Sequence, residues 1–399
     1  LYPYVYMMAR AAFLEQSRGV LEVSRTLGHG PWGAFFRVAL PLARPAVVTG
    51  LSLALMETLA DYGTVQYFGV STFTTGIFRT WFGLGDSAAA AQLAAMLLGF
   101  IFALILVERW SRRRARFHHS GQRHVRPHPY RLRGWPARLA FVACLMPLLL
   151  GFLLPASQLL YWSATTARES LDGRFIELTF NSLMLAALAA ALAVLLGTVM
   201  AYGKRLRPGP GISTGVRVAA LGYAVPGTVI AVGVLLPFAW LDNHIDAWMR
   251  AVFGVSTGLL LSGTLVTLLF AYTVRFLSVS LQAVEAGLGK IRMSMDDAAR
   301  SLGMPPGRVL REIHLPLMRS TVLTALLLVF VDVLKELPAT LILRPFNFNT
   351  LAVRAYEMAA DERLADAGPP ALMIVAAGIL PVVLLSRAIG RGHGGEAGL

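Results

Sequence analysis

Long apolar runs separated by short polar segments dominate the chain. A helix needs about 20 apolar residues to cross a bilayer. We predict eight such spans, at about Ala43–Gly63, Ala88–Val107, Leu139–Trp162, Asn181–Tyr202, Val216–Trp240, Thr257–Phe276, Ser320–Leu341 and Gly368–Leu385. An apolar stub at Leu1–Met8 is interpreted as the end of a further helix. The pattern predicts an all-α polytopic membrane protein.

Composition agrees with a membrane protein and argues against a water-soluble one. Hydrophobic residues make up 56% of the chain and charged residues 15%, against about 25% charged in an ordinary soluble domain. A soluble protein of this length could not bury so much apolar surface. The single cysteine, Cys144, lies in an apolar run and allows no intrachain disulfide.

The basic residues indicate which side of the membrane each polar segment occupies. Most of the 36 Lys and Arg residues fall in alternate polar segments, Ala9–Arg44, Arg109–Arg138, Gly203–Arg217, Leu277–Arg319 and Ser386–Leu399. The positive-inside rule predicts that these segments, the C-terminus included, face the cytoplasm. The net charge of +14 then belongs to loops beside lipid headgroups, and we expect membrane lipid as a partner and no nucleic acid.

The sequence repeats itself at a distance of 275 residues. Glu22–Gly28 aligns with Asp297–Gly303, and Leu40–Leu42 aligns with Leu315–Leu317. The shift pairs segments on the same side of the membrane, so we predict two parallel-repeat halves fused in one chain. The second half has six spans and the first has two and a stub. We therefore expect the first half to be N-terminally truncated, with about four spans missing.

These patterns divide the chain into four predicted parts. Residues 1–108 form the end of the first half, 109–138 a basic cytoplasmic linker, 139–388 the second half with a cytoplasmic loop at about 278–318, and 389–399 a cytoplasmic tail. The linker contains four histidines, His118, His119, His124 and His128. They are either metal ligands or part of a solvated basic loop.

The repeated segment carries a spaced motif in each half. The second copy contains an acid, two alanines, a glycine and an apolar-proline run, namely Asp297, Ala298, Ala299, Gly303, Ile313, Leu315 and Pro316. The first copy keeps Glu22, Gly28, Leu40 and Pro41, with Val23 and Ser24 at the alanine positions. Small residues allow close packing, glycine permits a turn between helices, and proline suits the first turn of a span. We predict a helix–turn–helix knob in each half; the simpler alternative is an amphipathic loop.

The duplicated motif resembles the coupling motif of binding-protein-dependent ABC importer permeases, and the resemblance covers nearly the whole chain. It implies the type I ABC importer permease fold in a bacterial inner membrane. It also implies ABC ATPase subunits, as two copies docked on the knobs, and a periplasmic substrate-binding protein as partners. Because the chain has no Walker A motif, we expect ATP and Mg on the partner ATPase, no cofactor on this chain and no enzyme activity of its own.

Five charged residues fall near the outer ends of two corresponding spans: Glu57, Asp61, Asp332, Lys335 and Glu336. The acids form two pairs spaced i, i+4, which predicts that each pair shares one helix face. Ionisable residues inside spans are usually functional, and carboxylates suit a hard cation, so one interpretation is a substrate path. The other is a set of ion pairs that holds the helices together, with Lys335, Arg344 or Arg354 as partners. Both interpretations stay open.

Four local strings are similar to those of iron(III)-type permeases: Asp61–Gly69, Lys335–Thr340, Leu343–Phe348 and Val353–Glu357. The resemblance implies iron(III) as the cargo. Thiamine and polyamine permeases share the architecture and are alternatives. An ion-gradient secondary transporter is the alternative from another class, and a membrane enzyme or scaffold is a third; both leave the duplicated motif unexplained.

Overall fold

The computed structural model describes residues 1–16, 18–113, 132–170 and 172–393, and the regular secondary structure of these residues is helical. The α-helices are α1 (Tyr2–Glu15), α2 (Arg18–Thr26), α3 (Pro31–Ala34), α4 (Leu40–Ala60), α5 (Gly63–Tyr67), α6 (Phe73–Phe78), α7 (Ser87–Arg113), α8 (Trp135–Leu148), α9 (Leu154–Ser170), α10 (Gly173–Leu206), α11 (Pro210–Ala219), α12 (Gly227–Phe253), α13 (Leu265–Gly289), α14 (Met293–Ser301), α15 (Pro306–Val309), α16 (Leu315–Leu317), α17 (Arg319–Leu334), α18 (Pro338–Leu343), α19 (Leu351–Ala360) and α20 (Gly368–His393). Turns of π-helix occur at Phe35–Ala39, Arg79–Gly83, Leu149–Leu153 and Leu310–His314, and a 3₁₀ turn at Gly222–Ala224.

Several of these helices are long and apolar enough to cross a membrane. Within the described residues six qualify, namely Pro31–Ala60, Ser87–Glu108, Trp135–Arg168, Gly173–Leu206, Gly227–Phe253 and Leu265–Gly289. The bent pair Pro306–Leu317 and Arg319–Leu334 is a seventh candidate, and Gly368–Val383 is a shorter apolar helix. Each overlaps one of the eight predicted spans, so the prediction of an all-α polytopic membrane protein is confirmed.

The span predicted at Val216–Trp240 begins later in the structure than the apolar pattern indicates. Its first residues belong to α11 and to the 3₁₀ turn, and α12 begins only at Gly227. Pro226 explains the break, because proline lacks an amide hydrogen and disfavours helical geometry in the residue before it.

The span predicted at Thr257–Phe276 is also displaced, because residues 254–264 form a loop and α13 runs to Gly289. The carboxylate of Asp242 accepts hydrogen bonds from the backbone N–H groups of Leu260, Leu261 and Ser262 at 2.7 to 3.2 Å. These bonds hold apolar residues in a loop, which the apolar pattern alone does not reveal. Of the predicted linker, residues 114–131 and all four of its histidines lie outside the described residues.

One compact unit comprises residues 1–61 and 92–152. Its helices α1 and α4 meet at Gly50, where an added Cβ would lie 2.7 Å from the Cα of Val5. Such a close backbone approach requires glycine. The neighbouring Thr49 donates a hydrogen bond to Glu108 of α7 at 3.3 Å, and Glu108 is buried. The buried carboxylate of Glu108 at the end of this span therefore has a hydrogen-bond donor within its own unit.

The other unit comprises residues 62–91 and the described residues after Phe152. Its centre consists of α10, α13 and α17, which pack against one another. Gly197 of α10 faces α13, where an added Cβ would lie 2.7 Å from Oγ of Ser280. The Ser280 hydroxyl donates a hydrogen bond to the carbonyl of Ala193 at 2.6 Å, which joins the two helices. This three-helix centre positions the polar groups described below.

Candidate functional site

The first copy of the repeat folds as a helix–turn–helix, which we name the first knob (residues 18–41). Its helix α2 ends in a Schellman motif, in which the N–H of Gly28 donates to the carbonyl of Arg25 at 2.9 Å and the N–H of His29 donates to that of Ser24 at 3.1 Å. Gly28 has a φ of 82°, in the left-handed region that favours glycine. After this turn the chain enters α3 at Pro31.

The second copy, which we name the second knob (residues 293–316), has the same local structure. The N–H of Gly303 donates to the carbonyl of Arg300 at 2.9 Å, and the N–H of Met304 donates to that of Ala299 at 3.1 Å. Gly303 has a φ of 74°. Every one of these residues follows its counterpart by 275 positions. The predicted helix–turn–helix is confirmed in both copies, while the docking role of its residues stays a prediction.

Pro41 and Pro316 lie in the first turns of α4 and α16, but each of these turns continues from a π-helical turn. The wider turn makes room for a proline ring, which would otherwise meet the carbonyl four residues earlier. In the first copy one helix runs from Pro31 to Ala60. In the second copy the chain bends by 81° and the spanning helix begins only at Arg319. Neither proline therefore opens its spanning helix as predicted, because Pro41 lies within a continuous helix and Pro316 lies before the bend.

Each knob exposes both an apolar tip and the acid of the motif. Leu27 is 71% exposed and Leu302 is 79% exposed, each one residue before the glycine of its turn. Glu22 and Asp297 are exposed as well. The apolar and proline residues that end the motif are half-buried or exposed: Leu40, Pro41, Ile313, Leu315 and Pro316.

The two alanine positions of the motif differ in burial. Ala299 and its counterpart Ser24 are buried, whereas Ala298 and its counterpart Val23 face outward. A small residue is thus required only at the inner position, where the first copy has a serine and the second an alanine.

The acids of the predicted substrate path do not share helix faces. Glu57 lies in α4, but Asp61 follows its last residue with an extended backbone at φ −66° and ψ 133°. Asp332 lies in α17, whereas Glu336 follows the end of that helix at Leu334. The prediction of a shared face for each pair is wrong, because each helix ends between its two acids. In the second half, Pro338 opens α18 and excludes a continuous helix.

Glu336 forms a buried ion pair. Its Oε2 lies 2.8 Å from Nη1 of Arg275, and Glu336 and Arg275 are 6% and 8% exposed. Its Oε1 accepts a hydrogen bond from the N–H of Ala339 at 3.1 Å and so caps α18. Gly227 leaves room for this pair, because a Cβ there would overlap both charged side chains. Arg275 also packs against the ring of Phe276, with its guanidinium carbon 5.4 Å from the ring centroid.

Two further ion pairs occur near this end of the unit. Lys335 lies 3.0 Å from Asp332, and Arg344 lies 3.2 Å from Glu357. In this structure Asp332 and Glu336, the two acids of the second half, both form ion pairs. Whether cargo also passes these residues stays a prediction.

A cavity of about 810 Å³ lies beside Lys335. Gln66 and Tyr67 of α5 line one side, and Tyr356 of α19 and Glu362 line another. Four alanines of α19 leave the space open: Ala352, Ala355, Ala359 and Ala360. Glu362 has a φ of 61°, a left-handed value that side chains adopt only under constraint. The cavity therefore presents hydroxyl, amide, ammonium and carboxylate groups to a polar guest.

The hydroxyl of Tyr356 is held in place at the edge of this cavity. It lies 3.0 Å from the hydroxyl of Tyr62, which in turn stacks on Phe78 with ring centroids 3.8 Å apart. Both tyrosines belong to strings that the sequence associates with the iron(III) type. The structure brings these two distant strings into direct contact.

A buried polar cluster, which we name the Asp296 cluster, was not identified from the sequence. It consists of Asp296 in α14, Arg205 at the end of α10, and His314 in the π-helical turn before α16. Asp296 Oδ2 lies 2.5 Å from Nη2 of Arg205, and Oδ1 lies 2.9 Å from Nε2 of His314. Asp296 is 2% exposed and His314 is 0% exposed.

The cluster determines the protonation of its acid and extends to a third helix. Burial raises the pKa of the Asp296 carboxyl, but hydrogen bonds from Arg205 and His314 outweigh it and hold the pKa below its ordinary value. Arg205 also donates to the carbonyls of Leu288 and Ile291 at 2.5 and 2.9 Å, where α13 ends. The sequence contains one signal of this cluster, which is the polar residue His314 between the apolar residues Ile313 and Leu315.

Comparison with known proteins gives a family match over most of the chain. Residues 1–116 and 193–391 match the model of the family described as binding-protein-dependent transport system inner membrane component. The chain is 28% identical over 393 residues to the Fe(3+)-transport system permease protein FbpB 2 of Haemophilus influenzae. The aligned region covers 97% of this chain and 74% of the relative.

Two further relatives are similar over shorter shares of their own length. The ferric transport system permease protein FbpB of Actinobacillus pleuropneumoniae is 26% identical over 413 residues, covering 96% of this chain and 55% of the relative. The putative 2-aminoethylphosphonate transport system permease protein PhnV of Salmonella typhimurium is 27% identical over 167 residues, covering 42% of this chain and 57% of the relative. The chain thus spans little more than half the length of the Actinobacillus relative.

Proposed function

Because the chain belongs to the family of binding-protein-dependent transport system inner membrane components, we propose that it is the permease subunit of an ATP-driven importer of iron(III). It is a multi-pass inner-membrane protein and a transporter subunit. The observation that carries the proposal is the duplicated knob, with one turn geometry at Gly28 and Gly303. Two equivalent knobs suit two copies of one partner.

The partner of the knobs is an ABC ATPase subunit that binds ATP and Mg. Leu27 and Leu302 are the apolar contacts it meets, since both knobs expose a leucine at the same position, one residue before the glycine of the turn. Asp297 and Glu22 are exposed on the same knobs and meet basic groups of the partner. Closure of two ATPase subunits then moves the spans between inward-facing and outward-facing states.

The knobs and the C-terminus face the cytoplasm in this proposal, and a periplasmic binding protein delivers cargo to the opposite face. The positive-inside distribution supports this orientation. The cavity beside Lys335 then opens toward the periplasmic side, because it is formed by the break after α17 and by α19, at the other end of α17 from the second knob.

Iron(III) is the cargo favoured by the names of the relatives that match almost the whole chain. The tyrosine and glutamate groups of the cavity agree with this cargo, because hard oxygen donors suit a hard cation. A 2-aminoethylphosphonate is the second candidate, supported by the relative that matches 42% of the chain. Thiamine and polyamine are the remaining alternatives of the same architecture.

The test is uptake of radiolabelled iron(III) by cells that carry or lack the complete gene. We expect uptake that disappears on deletion and also on mutation of the ATP-binding lysine of the partner ATPase. Uptake that an uncoupler abolishes and that the ATPase mutation leaves intact would instead support an ion-gradient transporter. Unchanged iron(III) uptake on deletion would contradict the cargo, and the same strains would then be tested with 2-aminoethylphosphonate, thiamine and polyamines.

A further inference from the structure

The second knob is joined to its unit by charged groups that have no counterpart in the first. The residues that correspond to Asp296 and His314, 275 positions earlier, are Leu21 and Ala39. Neither can form a charged hydrogen bond. The Asp296 cluster is therefore a feature of one knob, although the two knobs share the same turn.

The second knob also differs in how it meets its own spanning helix. The first knob continues into α4 as one helix, from Pro31 to Ala60, whereas an 81° bend separates the second from α17. A force along the axis of the first knob passes directly into its span. A force on the second knob is not aligned with α17, and its transfer to the membrane requires another rigid connection.

We infer that Arg205, Asp296 and His314 supply this connection and make the second knob move as one rigid body with α10. The inference rests on the proposed function, in which an ATPase pushes the knob. Helix α10 has 34 residues and is about 50 Å long, so a displacement at Arg205 is carried across the membrane. The cluster thus assigns Arg205, Asp296 and His314 as positioning residues for coupling, and none of them touches the partner.

Three observations support a rigid connection. Arg205 donates hydrogen bonds to Asp296 and to the carbonyls of Leu288 and Ile291 at the end of α13. Its planar guanidinium group therefore links two elements at once. The hydroxyl of Tyr202, one turn earlier in α10, donates to the carbonyl of Pro306 at 2.8 Å and holds the other limb of the knob. Tyr202 belongs to an apolar core with Val284, Leu288 and Met318, and its ring lies 5.5 Å from that of His314; hydrogen bonds are strongest in such a medium.

The first experiment measures whether the second knob moves with α10 in the unaltered cluster. Cysteines replace the exposed Arg207, just after α10, and the exposed Ser301, at the end of α14, in a Cys144→Ser background. Spin labels at these positions report one distance in the complete complex with and without ATP. A second pair, at Ser301 and Ser320 of α17, reports movement across the bend. We expect the second distance to change and the first to stay within about 2 Å, the scale of ordinary helix shifts. A second distance that also stays constant would overturn the inference, because the bend would then transmit the movement without the cluster.

A change of the first distance beyond this limit would overturn the inference, whether or not the complex transports iron(III). This measurement involves no change in the cluster, so it does not depend on the folding of a variant. It also separates the inference from the proposed function, because ATP-driven motion is read without cargo.

The second experiment changes the cluster and measures coupling. Asp296→Asn keeps the shape of the side chain and removes its charge, and Glu312→Gln is the matched control on the same knob, in an exposed pair with Arg308. Both variants are assembled with the ATPase and binding protein in vesicles, and iron(III) uptake per ATP hydrolysed is determined. We expect Asp296→Asn to bind the ATPase and hydrolyse ATP while its uptake per ATP falls at least about fivefold, and Glu312→Gln to match the wild type.

Rescue distinguishes a positioning role from a loss of folding. Asp296→Glu restores the charge, and we expect it to regain part of the uptake per ATP without any change in the amount of assembled complex. An uptake per ATP in Asp296→Asn equal to that of Glu312→Gln would overturn the inference. So would parallel losses of assembly, hydrolysis and uptake in Asp296→Asn that Asp296→Glu leaves unrepaired.

Discussion

The carboxylate of Glu336 and the guanidinium of Arg275 lie 2.8 Å apart in the interior of one unit of the fold. Removing two charges from water is costly, so such a pair contributes little net stability as long as it is intact. Its importance appears when one partner is lost, because the other charge is then buried alone.

Glu336→Gln is therefore expected to destabilise the protein by about 3–5 kcal/mol, the usual cost of breaking a buried pair. Asp332→Asn is the control: it removes an acid from the same segment, but its partner Lys335 is 50% exposed, so we expect a loss below about 1 kcal/mol. Thermal unfolding of the detergent-purified variants measures both. Equal losses would show that burial of the pair has no consequence.

Gly227→Ala is expected to disturb the same ion pair from the other side. The added Cβ would overlap both charged side chains, and neither can withdraw without losing its partner. Gly233→Ala is a matched control in the same helix, because no atom lies within 4 Å of its added Cβ and alanine favours a helix by up to about 1 kcal/mol. The yield of folded protein and its unfolding temperature should fall for Gly227→Ala alone. A normal unfolding temperature for Gly227→Ala would contradict the close packing.

Gly303→Val is expected to uncouple ATP hydrolysis from uptake while the protein still inserts in the membrane. The φ of 74° at this position costs a β-branched residue at least about 1–2 kcal/mol, which changes the turn of the second knob. Gly307→Ala is the control on the same knob, since its φ is not left-handed and its added Cβ meets open space. Uptake and hydrolysis are measured in the assembled complex. Normal uptake by Gly303→Val would remove the role of the turn.

The stability of the second knob is expected to fall in acid because of Asp296. Its folded-state pKa lies below its ordinary value, so the carboxylate contributes stability that is fully present above the unfolded pKa of about 3.9. This contribution is lost as the pH falls through the lower folded value. Unfolding temperatures of wild type and Asp296→Asn, measured from neutral pH downward, should differ most above about pH 3.9 and converge below it. A constant difference across this range would contradict the prediction.

Local sequence signals were sufficient for much of this fold. Apolar runs identified the spanning helices, and Gly28 and Gly303 identified the turns. Both signals are local, because the length of an apolar run and the left-handed φ of a glycine depend on neighbouring residues alone. The repeat added a second observation of the same turn. It predicted that both knobs share one backbone structure, and their hydrogen bonds agree residue by residue.

Long-range polar contacts were beyond the sequence. Arg205 and Asp296 are 91 residues apart, and Arg275 lies in α13 whereas Glu336 lies between α17 and α18, so no periodic pattern links either pair. The i, i+4 spacing of the acids suggested one helix face, but it could not show where each helix ends. Helix ends depended here on Pro338 and on the capping carboxylate of Glu336.

The π-helical turns at Phe35–Ala39 and Leu310–His314 occupy the same step of the repeat, between each knob and the residues that follow it. Such a turn contains one residue more than the corresponding stretch of α-helix. Deleting that residue, together with replacing the proline that follows, would close the turn to α-helix and rotate everything before it by about 100° around the helix axis, without altering the rest of the span. The direction in which each knob projects around the helix axis is therefore changed by the insertion or deletion of one residue. A permease of this kind can re-aim its knobs toward a differently spaced pair of partners by insertion or deletion there, while the docking surface and the membrane core keep their sequences.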